Sequence, residues 1–339
     1  MGSSHFFHPA ARPVLCLGLV GFSTSDCEHI ASQMHLAPVG GVHWRVTRYA
    51  EADAWVVNGA RTRLLAEDEV CVDAASERDA PVRMHLRDVD RPVAFSRPLA
   101  DARFEPACAF DMTSTGSLVV MLAKFSHWLR PRAMLFALAD LLTHHAPGIR
   151  HRSRVYHLTC DSRLVGVIDL QGDVAVLPDA TLGELARATW QPRPVAAGYV
   201  PDNFVRKSLA GLLWEYAGRT QRDLLPARYR QVPIHLKRTP LLGHRLFTDA
   251  QLFVLRELAD APRTLAQLCA PEKFPAHEIA RALTAFYLVG CVTSRAERAE
   301  ASRRDPHTSV WPWWMSQHPE GAQAAPPAVR IESALHLAP

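Results

Sequence analysis

Residues 14–22 read VLCLGLVGF, with no charge and no polar alternation. A short run of this kind suits a strand buried on both faces, and such strands occur in parallel sheets with cover on each side. Whatever folds around it must supply two layers. The run also has the size of a secretory h-region, with Arg12 ahead of it. No A-x-A cleavage site follows, and Ser25-Asp26 before Cys27 is not a lipobox. MGSSHF lacks the Ser or Thr at position 6 that myristoylation requires. The longest other apolar stretch, 131–142, is interrupted by Arg132 and Asp140 and is too short for a membrane span. The expectation is a cytoplasmic chain with no membrane partner.

After the run, STSDCEHIASQMHLA has a helical pattern, with Ser25 and Glu28 spaced as a capping box. VHWRVTRY (42–49), DAWVVNG (53–59), VRMHL (82–86) and RPVAFSRPL (91–99) have strand patterns. Strand–helix–strand alternation predicts a parallel sheet with helical crossovers. Leu118, Leu122, Phe125 and Leu129 then recur at helical spacing. STGS (114–117) caps that helix, since its single Gly and the position of Lys124 do not make a phosphate loop. Pro131 starts a second apolar helix.

RVYHLTC, RLVGVIDL and VAVL, within 154–177, predict antiparallel strands joined by tight turns at 160–162 and 171–173. TLGELARATW predicts a helix. Another follows a Pro/Gly-rich joint, with Val205, Leu209, Leu212 and Tyr216 on one face. Over 246–294, Thr248 with Gln251 and Thr264 with Gln267 form two capping boxes, Pro275 opens a third helix, and Gly290 stops it. CVTS then predicts a strand.

The 339 residues are 48% hydrophobic, enough for a core in each of two or three domains. The fold class expected is α/β plus α+β, multidomain. The boundaries expected are a disordered 1–12, an α/β domain over 13–105, and a middle domain over 106–195 made of a helical pair and a β-hairpin. A helical domain over 196–294 and a disordered tail over 295–339 complete the chain. The net charge of +4 permits nucleic acid or an acidic protein as partner and requires neither. The seven cysteines include no CxxC, which fits reduced thiols rather than disulfides or a zinc site. His144, His145 and His151 fall about a Pro/Gly-containing break and read as a solvated loop.

The order and spacing over 13–99, about a quarter of the chain, resemble the receiver domain of response regulators. In that family the third strand runs from an acid through four apolar residues to the phosphorylated aspartate. Asp53, then Ala54 to Val57, then Asn58 fit the template, with an amide in the nucleophile's place. Arg97-Pro98 stands where the family ends its fifth strand in Lys-Pro. The acids that hold Mg²⁺ after strand one are missing, and Asp26, the first acid, falls in the following helix. Phosphotransfer needs an ionised carboxylate as nucleophile and hard oxygen ligands for the metal. The resemblance therefore implies a receiver-like domain that cannot be phosphorylated, with Asp53, Arg97 and Pro98 at its switch positions. Residues 246–294 resemble a winged helix more weakly.

No catalytic motif occurs, and His157 and Cys160 fall on opposite faces of one strand. No enzyme activity and no cofactor are expected. A DNA-reading helix places Arg, Lys, Asn or Gln in the major groove. PAHEIARALTAFYLVG offers Arg281, balanced by Glu278, and is otherwise mostly apolar. The stronger basic stretch lies at 227–247, where Arg228, Arg230, Lys237, Arg238 and Arg245 occur with no acid. It could touch phosphates or an acidic protein surface. Trp311, Trp313 and Trp314 in WPWWMS read as docking anchors in a polar tail. The function expected is a non-enzymatic bacterial signalling adaptor acting through protein contacts. The alternative is a phosphorylation-independent DNA-binding regulator.

Overall fold

In a computed structural model, which describes residues 12–36, 41–76, 80–145, 154–194, 199–240, 242 and 247–304, the apolar run forms β1 (Val14–Val20). It is flanked by β2 (His43–Thr47) and β3 (Ala54–Val57). Further out lie β7 (Val93–Arg97) and β8 (Ala109–Asp111), all parallel, in the order β2-β1-β3-β7-β8. Counted along the chain, the parallel strands follow the order 2-1-3-4-5, so strand order reverses between β1 and β3. β1 is buried on both faces, as its composition predicts. Leu15 and Leu17 face α1 (Thr24–Leu36) and α2 (Thr115–Trp128). Val20 enters a separate cluster on the opposite face, and Val14 meets α3 (Arg130–His145).

The crossovers depart from the expected alternation. Among the described residues, only α1 is a helical link between parallel strands. A short 3-10 turn joins β2 to β3. Between β3 and β7 the chain builds a second small sheet from β4 (Thr62–Ala66), β5 (Glu69–Val72) and β6 (Val82–His85). Thus 82–86 is not a strand of the parallel sheet. Its Met84, with Val70 and Val72 of β5, covers Val20, Val57 and Phe95, doing the work of the absent helices. The cap of α1 also differs. Ser23, not Ser25, accepts from the Asp26 N–H, and Asp26 reaches back to Ser23. The same three-residue spacing simply occurs two positions earlier.

The second large sheet is antiparallel and contains β9 (Val155–Cys160), β10 (Arg163–Asp169) and β11 (Asp173–Val176). β12 (Thr189–Arg193) and β13 (Val205–Ser208) form its edges, giving the order β12-β9-β10-β11-β13. Two expectations are corrected. The helix over 181–190 is only α4 (Leu182–Arg187), and β12 begins directly after it with Pro192 on an edge, where a missing N–H is tolerated. Val205 belongs to β13, and α5 (Leu209–Arg219) starts only after the Ser208 cap.

The chain continues through α6 (Arg228–Gln231), β14 (His235–Leu236), α7 (Asp249–Asp260) and α8 (Leu265–Cys269). α9 (Ala276–Leu288), β15 (Val292–Thr293) and α10 (Ala296–Arg304) follow. The expected capping boxes open α7 and α8. β15 pairs with β14, which precedes the helices. α5 packs along α9, with Trp214 and Phe286 meeting edge to face at 5.1 Å. One continuous apolar cluster therefore joins α3, the antiparallel sheet, α5 and α7 to α9. No helix among the described residues is long and apolar enough to cross a membrane.

Candidate functional site

Parallel sheets receive ligands outside the carboxyl ends of their strands, at the point where strand order reverses. Here that point lies between Gly21, just after β1, and Asn58, just after β3. Asn58 is buried and uses both ends of its amide. Nδ2 donates to the Gly21 carbonyl oxygen at 3.0 Å, and Oδ1 accepts from the Ala60 N–H at 3.1 Å, capping the turn Gly59–Arg61. A carboxylate could serve only the second of these contacts.

The crevice is also filled. Gly21 has a φ of 76°, and a Cβ there would lie 2.6 Å from the Val72 Cγ1 of β5. Gly59 packs so closely under Ser96 that a methyl group would strike the Ser96 carbonyl oxygen. Asp26 is occupied by Ser23. Arg97 and Pro98 are exposed and joined by a cis peptide bond. Arg97 ends the fourth parallel strand, β7, and Pro98 follows it; the fifth strand, β8, lies beyond.

Charge concentrates at the opposite end of β3. Asp53 precedes that strand with its side chain fully buried. The Cys16 N–H donates to Oδ2 at 2.9 Å. Arg219, at the end of α5, donates to both oxygens at 2.6 and 2.9 Å, and Arg132 of α3 donates to Oδ1. Burial by itself would raise the Asp53 pKa. The charge and hydrogen bonds of Arg219, the Cys16 N–H and Arg132 outweigh it and hold the carboxyl below the ordinary range.

The same two helices are tied a second time. The Tyr216 hydroxyl of α5 donates to buried Asp140 of α3, and Arg222 donates to the same carboxylate at 3.1 Å. Burial, then this hydrogen bond, pushes the Tyr216 pKa up to about 12. These contacts make Asp53 the centre of a fastener between the parallel sheet and the rest of the molecule.

Among its described residues, the basic stretch is engaged in part by its own chain. Arg228 reaches the Ser294 carbonyl at 3.5 Å, Arg230 pairs with Asp223, and Arg238 reaches the Val289 carbonyl at 3.2 Å. Lys237 is half-buried, and its pKa is lowered first by burial and then by Arg238 and Arg298. Arg245, Trp311, Trp313 and Trp314 lie outside the described residues. α9 is enclosed from Ala282 to Leu288, leaving its first turn exposed. Arg281 is partly buried and feels the charge of Arg45 on β2.

Arg132 and Arg219 are the site residues that sequence reasoning missed. A signal existed for Arg219, which extends the stripe of Leu209, Leu212 and Tyr216 on α5. A cation on an apolar stripe needs a buried partner. Comparison with family models, with curated proteins and with solved structures gives no match to this chain.

Proposed function

We propose that the chain is a non-enzymatic bacterial signalling adaptor that works through protein contacts, and that its receiver-like sheet is not switched by phosphorylation. The observation that carries this reading is the Asn58 amide. It donates to Gly21 inside a crevice filled by Val72, at the place where a phosphoacceptor carboxylate would have to stand open to solvent. The enclosure of α9 supports protein contacts over the DNA-binding alternative, since a groove-reading helix must offer one face along several turns.

Incubation with radiolabelled acetyl phosphate and Mg²⁺ tests the reading. The expected outcome is no stable incorporation within 13–99. A phosphorylated residue mapped to that segment by mass spectrometry would overturn it.

A further inference from the structure

A groove of about 910 Å³ opens where the α2–α3 turn meets the loops around β7. This is within the size of cavities that hold small ligands or a few side chains. Phe95 and Phe104, packed edge to face at 4.7 Å, and buried Leu129 form its apolar base. Pro92, Pro106 and Pro131 line its walls. Trp128 stacks on Phe125 with one face and remains 55% exposed on the groove side, unusual for so large an apolar ring.

The charges around the groove are unevenly matched. Arg91 pairs with Asp90 and lies over the Trp55 ring, Arg103 pairs with Asp101, and Arg132 pairs with Asp53. Asp68 is taken by Arg87. Glu67 and Glu105 remain, with no ion pair among the described residues. The groove is thus apolar at its base and negative at its rim. Its complement is a segment with aromatic or proline rings beside a positive charge.

The chain carries such a segment. Arg303 and Arg304 lie eight and seven positions before WPWW (311–314), with one acid, Asp305, between. Proline disfavours helix for the residue before it, and in an extended segment residues two apart share a side. Trp311 and Trp313 could then enter one groove together. Trp311 and Trp314 lie seven and ten positions beyond Arg304, a reach of up to about 25 to 35 Å, against a radius of gyration of about 20 Å for a chain of this length. A tether of this kind presents its segment at roughly millimolar effective concentration. Even a weak contact would then be occupied within one molecule.

We infer that the groove beside Trp128 is the seat of this chain's own 311–314 segment, docked intramolecularly. Photo-crosslinking of the full-length protein, with Trp313 replaced by benzoylphenylalanine, tests the docking. The expected result is intramolecular products mapping to 64–68, 86–93, 103–107 or 128–132. Their yield should fall at least fivefold in the double variant Glu67→Lys, Glu105→Lys, whose melting temperature should stay unchanged. Products confined to another surface, products linking two chains or a second protein, or no product at all would each overturn the docking. So would a yield that ignores the charge reversal. None of these outcomes depends on whether the sheet accepts a phosphoryl group.

Discussion

The two ends of β3 are five residues apart and chemically opposite. At the amino end, Asp53 is a fully buried carboxylate answered by two guanidinium groups and a backbone N–H. At the carboxyl end, Asn58 is a buried amide answered by one carbonyl and one N–H. In a sheet of this strand order, chemistry belongs at the carboxyl end, yet the fully buried carboxylate lies at the other. The difference teaches how to tell a site from a fastener. A carboxylate with every lone pair engaged by its own chain has nothing left for a substrate, and its value is in what it holds together.

The comparison breaks most directly at Asp53. Asp53→Ala leaves Arg219 buried without an acceptor, and removing one partner of a buried pair costs about 3–5 kcal/mol. Chemical denaturation should show a loss of this size. The pH dependence follows from the depressed pKa. Near pH 4 the native state binds fewer protons than the unfolded chain, whose aspartates titrate at about 3.9, so stability rises with pH there. The contribution is complete above the unfolded value and is lost as pH falls through the lower folded value. The gap between wild type and Asp53→Ala should therefore be constant from pH 5 to 7 and shrink below pH 4. A gap that persists at pH 2 would show that packing, not charge, makes the fastener.

Asn58→Asp sharpens the other end. The variant loses the donor to Gly21 and sets a carboxylate against a carbonyl oxygen, a cost of about 1–3 kcal/mol. Protonation restores an O–H donor, so the loss should lessen in mild acid; here the variant gains as pH falls, whereas at Asp53 the gap narrows because the wild type loses its ion pair. No acetyl-phosphate labelling should appear, because Asp26 is held by Ser23 and Val72 fills the crevice. Labelling of residue 58 in this variant would mean that only the amide separates the sheet from a working site.

Much of this was legible in sequence where the determinants are local. β1, the cap at Ser114, the boxes at Thr248 and Thr264 and the stop at Gly290 each depend on residues within a few positions. The β4–β5 hairpin was not legible, because it turns through Glu67-Asp68 rather than a glycine or asparagine pair, and β8 has only three residues. Asn58 could be recognised as an amide in an acid's place, but its need for a donor becomes visible only beside Gly21. The switch position of Asp53 is implied only by the receiver resemblance. Its partners lie 79 and 166 residues away, a distance over which no periodicity carries information. What could be seen was that Asp140 and Arg219 interrupt apolar stripes.

The smallest effect is expected at Arg132. Its side chain is 48% exposed, against 16% for Arg219, and it contacts one carboxylate oxygen where Arg219 contacts both. An exposed guanidinium keeps much of its hydration and is screened by salt, so such a pair is worth about 0–1 kcal/mol. Arg132→Ala also leaves Asp53 with Arg219 and the Cys16 N–H, so no buried charge is stranded. A loss under about 1 kcal/mol is expected, smaller still at high salt. A double-mutant cycle with Asp53→Ala separates this pair from its surroundings. If Arg132→Ala instead cost as much as Asp53→Ala, the two arginines would act as one unit. The buried carboxylate would then need both charges, and the line between the enclosed fastener and the groove wall that Arg132 also forms would disappear.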